Sequence, residues 1–233
     1  EMCIRDRPIS QDYMLPIEPL TDNQKVMFDA WDEGKMIYAY GVAGTGKTFV
    51  ALYKALKEVL DDYSPYEKIY IVRSLVATRE IGFLPGDHED KSSLYQIPYK
   101  NMVQAMFEMP DDNSYEMLYD NLKAQETISF WSTSFIRGTT LDNAIVIIDE
   151  CQNLNFHELD SIITRVGQDS KIIFCGDAAQ TDLQKISERT GIIDFQRILQ
   201  NMEEFSMIEF GIEDIVRSGL VKSYLINKIN LGL

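Results

Sequence analysis

Residues 36–53 read "MIYAYGVAGTGKTFVALY", and the order of signals within this stretch decides the fold. "MIYAY" (36–40) is a short apolar run suited to a buried strand. A Gly-rich loop, "GVAGTGKT" (41–48), comes next, and apolar residues then recur at helical spacing through "KTFVALYKALKEVL". Gly41, Gly46, Lys47 and Thr48 satisfy the phosphate-loop pattern. The glycines let the backbone of Val42, Ala43, Gly44 and Thr45 turn tightly and aim its N–H groups at phosphate oxygens. Lys47 is placed to meet β- and γ-phosphates, the Thr48 hydroxyl to ligate magnesium, and the following helix adds its positive end. Residues 41–48 are thus the expected cradle for a nucleoside triphosphate, with ATP and Mg2+ as the expected ligands.

A strand–loop–helix of this kind belongs in a larger sheet. "AIVIIDE" (144–150) and "KIIFCGD" (171–177) are continuous apolar runs, the form of central parallel strands. The first ends in Asp149, a magnesium ligand at the carboxyl end of its strand, and Glu150, placed to orient and deprotonate an attacking water. The second leads to Gln180, whose amide is expected to sense the γ-phosphate or the lytic water. Strands alternate with helical patterns along the chain, which predicts an α/β fold with a mostly parallel sheet and helices on both faces.

Composition fits this reading. The chain has 233 residues, 45% hydrophobic and 25% charged, ordinary values for one globular domain. The longest near-continuous apolar run, "AIVII" at 144–148, is far short of a membrane span. With nothing resembling a secretory signal, a cytoplasmic location is expected, the host cytoplasm if a phage encodes the chain. Cys3, Cys151 and Cys175 are widely spaced, against both a disulfide framework and a paired-Cys metal site. His88 and His157 have no partner at ligand or triad spacing. A net charge of −15 argues against nonspecific coating of nucleic acid, though not against a local basic channel.

The opening "EMCIRDRPIS" resembles translated sequencing adapter, so residues 1–7 carry no weight for the fold. Residues 1–19 are expected as an extended lead-in and 20–233 as one domain. Thr21 caps a helix through Ala30 that ends at Gly34, and "KIYIVRS" (68–74) is the next strand. A helical, Tyr/Met-rich insertion occupies about 88–125, interrupted at 109–114 and read as a core face rather than a base-stacking surface. "TISFWSTSFIRG" (127–138) alternates like a strand, 156–167 is helical, and two further helices, 190–204 and 213–230, flank "SMIEF".

"GVAGTGKT", "GFLPGD", "RGTTLDNAIVIIDECQN", "TRVGQDSKIIFCGDAAQTDL" and "DIVRSGLV" follow one another in the order and spacing of the PhoH-like ATPase family, which this chain resembles over roughly residues 20–226. That family is allied to the first RecA-like domain of superfamily 1 helicases, and the short acidic chain looks most like its phage-borne members. Cys151 stands where the family has Ala in "DEAQN". The resemblance implies ATP hydrolysis coupled to action on RNA or single-stranded DNA; the lack of a membrane-length apolar run sets the expectation of no membrane partner. It implies Gln24, in "TDNQ", as the adenine-reading glutamine. It also matches Arg73 to the helicase arginine that grips a nucleic-acid backbone, and Arg217 to the one that reaches the γ-phosphate from a second domain. Only 53 residues follow Gln180, too few for such a domain. An arginine finger, Arg217 or alternatively Arg165, is therefore expected from the C-terminal helix or from a neighbour in a homo-oligomeric ring, with a hexamer as one form. Two other classes fit less well. A GTPase needs a guanine reader that "NKIN" (227–230) lacks, and a small kinase needs an arginine-rich lid, whereas 88–125 has no arginine. The alternative kept open is a nucleotide-dependent switch or assembly module without a nucleic-acid substrate.

Overall fold

The computed structural model describes residues 9–73, 88–136, 138–177 and 186–231. Gln180 and "GFLPGD" (82–87) lie outside the described residues. Among the described residues six strands form one sheet in the order β3-β2-β4-β5-β1-β6, and their pairings are all parallel. They are β1 (Met36–Gly41), β2 (Lys68–Arg73), β3 (Ile128–Trp131), β4 (Ala144–Asp149), β5 (Lys171–Cys175) and β6 (Phe205–Phe210). Every residue of β4 and β5 is buried, which explains their unbroken apolar character.

Successive side chains alternate between two cores. Ile37, Ala39, Ile69, Ile71, Ile145 and Ile147 face one side. There they meet α1 (Asp22–Asp32), α2 (Lys47–Val59), α3 (His88–Gln104) and α4 (Asp112–Ala124) through Trp31, Leu56, Val103 and Leu122. Tyr38, Val72, Val146, Ile148 and Phe174 face the other side. They pack on α5 (Thr133–Ile136), α6 (Phe156–Ile163) and α7 (Ile186–Gln200) through Ile136, Leu159, Ile162 and Phe195. The result is the three-layer α/β sandwich expected of a phosphate-loop fold. The last helix, α8 (Gly219–Asn230), buries none of its residues. The Tyr/Met-rich stretch is a core face: Tyr99, Val103, Met106, Tyr115 and Tyr119 are all buried.

Several boundaries differ from the sequence reading. The strand expected over 127–138 stops at Trp131, and Thr133–Ile136 is helical. β3 is an edge strand, and its last pairing is Val72↔Trp131. The helix expected over 156–167 ends at Ile163 because Val166 pairs with Leu141 and Gly167 N–H donates to the Leu141 carbonyl. The helix expected over 190–204 runs over Ile186–Gln200 instead. The one expected from 213 begins only at Gly219: a 3-10 turn covers Ile212–Asp214, and the Val216 N–H is spent on the Gly44 carbonyl at 3.1 Å.

Candidate active site

The carboxyl ends of β1, β4 and β5 open onto one cavity of about 620 Å³. The loop between β1 and α2 forms its floor. Gly46 takes φ = 84°, a left-handed conformation that favours glycine, and leads directly into α2. Lys47 is only 8% exposed and folds across the loop, donating to Val42 O at 2.7 Å and Thr45 Oγ1 at 3.2 Å. Burial pushes its ammonium below the ordinary lysine range, partly offset by Cys175, Asp177, Glu150 and Asp149 nearby.

Thr48 Oγ1 donates to Asp149 Oδ1 at 2.7 Å, so the motifs at 41–48 and 144–152 meet as the sequence requires. Glu150 follows at φ = 53°, an uncommon conformation for a residue with a side chain. Its carboxylate accepts from Gln152 Nε2 at 2.5 Å, and Gln152 Oε1 in turn accepts from the Asp177 N–H at 2.9 Å. Gln152 thereby ties Glu150 to the end of β5. Burial, then the neighbouring Asp149, raises the Glu150 carboxyl above the ordinary glutamate value.

Gln24 is buried. Its Oε1 accepts from the Leu20 N–H at 2.8 Å and its Nε2 donates to the Thr45 carbonyl at 2.8 Å, bridging the lead-in segment and the loop. With Ile17, Leu20 and Val216 it walls one side of the cavity. Arg217 also lines the cavity of its own chain: a Cβ placed on Gly44 would lie 2.9 Å from its Cγ. Arg165 does not line the cavity. It follows α6, and its carbonyl accepts from the Leu141 N–H, at the amino-terminal edge of the sheet.

Arg73 lies at the same cavity. The resemblance matched it to a nucleic-acid contact; in the structure its side chain lines the cavity, with Nη2 3.9 Å from Glu150 Oε1. Burial works against its charge, but Tyr99, Asp149 and Glu150 outweigh that and hold its pKa above the ordinary arginine value. Sequence reasoning missed two residues. Gln152 had a signal, its place two residues after Glu150. Tyr99 had none beyond lying on a buried helical face; its phenol donates to Asp149 Oδ2 at 2.5 Å.

An all-parallel sheet, a glycine loop at the end of β1, and acids at the end of the neighbouring-but-one strand together define a phosphate-loop nucleoside-triphosphatase fold. The chain belongs to the PhoH-like protein family, whose profile matches residues 16–227. It is 33% identical over 210 residues to a PhoH-like protein of Bacillus subtilis, covering 86% of this chain and 60% of that one. It is 32% identical over 206 residues to a PhoH-like protein of Mycobacterium leprae, covering 88% and 56%. Against PhoH of Escherichia coli the figures are 29% over 212 residues, 90% and 57%. The chain thus spans between 56% and 60% of the length of these relatives. Among solved structures, the large terminase of the thermophilic bacteriophage D6E, in complex with ATP-γ-S, aligns at a TM-score of 0.52 and 16% identity. That alignment covers 88% of this chain and 48% of the terminase, and it bears on the fold.

Proposed function

We propose that this protein is a magnesium-dependent ATPase, and that hydrolysis serves work on RNA or single-stranded DNA by a homo-oligomer. One observation carries the enzymatic part: Lys47, Thr48, Asp149 and Glu150, from two motifs about a hundred residues apart in sequence, converge on a single cavity. The triphosphate lies along the loop N–H groups and the α2 amino terminus. Lys47 leaves its loop carbonyls for the β- and γ-phosphates. Thr48 and Asp149 present hydroxyl and carboxylate oxygens side by side, the hard donors that magnesium takes. When bound, magnesium supplies neutralising charge at the phosphates. Glu150, held by Gln152, orients the attacking water and takes its proton. Arg217 meets charge developing on the γ-phosphate from within its own chain, and Gln180 is assigned the sensing role.

The nucleic-acid part rests on the likeness of the motifs to superfamily 1 helicases. The oligomer is supported by α8, where Leu220 is 83% and Tyr224 65% exposed. The inward turn of Arg73 favours a second reading, a nucleotide-dependent switch, because it engages the one arginine matched to a nucleic-acid backbone. Phosphate release, measured with and without single-stranded RNA or DNA, tests both. Release that needs magnesium and is abolished in Lys47→Ala supports the ATPase. Near wild-type turnover in that variant refutes the site. Stimulation by nucleic acid favours the first reading, and steady release indifferent to it favours the switch.

A further inference from the structure

Each oxygen of the Asp149 carboxylate has its own partner. Oδ1 accepts from Thr48 Oγ1 at 2.7 Å, and Oδ2 accepts from the Tyr99 phenol at 2.5 Å. Thr48 belongs to the phosphate loop, but Tyr99 comes from α3, a helix that carries none of the sequence motifs. Asp149 is 7% and Tyr99 2% exposed, so bulk water does not readily replace the phenol. The ring is seated against Phe130 of β3 at 5.4 Å between centroids, which fixes the direction of the hydroxyl. Arg73, 3.9 Å from Glu150, also stands against Tyr99, so one ring is linked to both acids.

A carboxylate held at one oxygen still rotates about its last bond. Held at both, it presents a fixed edge. Groups that orient a metal ligand from behind change metal affinity about 10–100-fold when removed.

We propose that Tyr99 is a positioning residue for the magnesium site: its hydroxyl fixes the Asp149 carboxylate so that Oδ1 and the Thr48 hydroxyl face the metal together. In consequence α3 sets how tightly the site holds magnesium, and a shift of α3 alters the magnesium requirement before it alters nucleotide binding. This rests on the ATPase reading above.

The test is binding of a fluorescent ATP analogue, titrated with magnesium and repeated in EDTA, with a thermal melt of each variant. Tyr99→Phe keeps the ring and its packing. It should bind in EDTA as the wild type does but need about tenfold more magnesium, or beyond, for half-maximal tightening. Tyr99→Leu removes packing as well. It should match Tyr99→Phe in magnesium requirement while melting lower. An unchanged requirement in Tyr99→Phe overturns the proposal. So does equal weakening with and without magnesium, which makes Tyr99 a wall of the cavity, and so does a requirement in Tyr99→Leu far above that of Tyr99→Phe, which makes packing the cause. Magnesium-independent binding by the wild type overturns the ATPase reading as well. An unchanged requirement beside a magnesium-dependent wild type overturns only the role of Tyr99.

Discussion

Asp214→Ala probes the clasp that holds the C-terminal segment on α1, two residues before Val216 meets the phosphate loop. Asp214 is 1% exposed, and its Oδ2 accepts from Asn23 Nδ2 at 2.7 Å and from the Gly211 N–H at 2.8 Å. Burial works to raise its pKa, but the bonds from Asn23, Thr21 and Gly211 outweigh it and leave the carboxyl below the ordinary aspartate value. A hydrogen bond to a charged group contributes about 1.5–3 kcal/mol, and bonds sharing one acceptor fall short of additivity. Truncation should therefore cost about 3 kcal/mol. For a chain of this length each kcal/mol shifts Tm by about 2–4 °C, so Asp214→Ala should melt about 6–12 °C below the wild type. The sign with pH follows from the depressed pKa. The ionic contribution is fully present above the unfolded aspartate value and lost as pH falls through the lower folded one. The gap between wild type and variant should accordingly be widest near neutrality and narrow in acid. Differential scanning calorimetry across that range measures it. A Tm within about 2 °C of the wild type at neutral pH, a shift corresponding to about 1 kcal/mol or less, would refute the clasp.

Two further outcomes follow from the site. Glu150→Gln should retain ATP binding while turnover falls about a hundredfold or more, the usual cost of a lost general base; filter binding beside phosphate release checks it, and binding lost as in Lys47→Ala would make Glu150 structural. Because Arg217 lies on its own Gly44, mixing Arg217→Ala with Lys47→Ala subunits should give only the sum of their residual rates, and recovery of activity in the mixture would mean that arginines cross between subunits.

The parts of the fold that were legible in sequence are those whose information is local. β1, the glycine loop and α2 are contiguous, and β4 and β5 are apolar throughout because both their faces are covered. Thr21 was legible as a cap because capping acts three residues away: its hydroxyl accepts from the Gln24 N–H at 3.3 Å. What was not legible depends on pairings between distant segments. The end of α6 is set by Leu141, and the late start of α8 by Gly44. Arg73 ends an apolar strand whether it faces inward or outward, and only the placement of Tyr99 and Glu150 decides which. Tyr99 has the same spacing as any core tyrosine, and its hydroxyl partner lies 50 residues on.

The glycines of the phosphate loop carry more than a phosphate. A Cβ on Gly41 would lie 2.2 Å from the Phe210 carbonyl, and one on Gly46 would lie 2.9 Å from Gln24 Nε2. Each marks a close approach by a segment far away in sequence: β6 at Gly41 and α1 at Gly46. The Val216 N–H and the Arg217 side chain meet the loop between them, at Gly44. Asn23 and Asp214, one residue from Gln24 and two from Val216, join these two outer segments to each other. The loop is therefore closed inside a ring of contacts from β6, α1 and the segment leading to α8. α8, with Leu220 and Tyr224 among its exposed apolar residues, begins three residues after the Val216 N–H that meets Gly44, so this helix is tethered to the loop through its amino-terminal end.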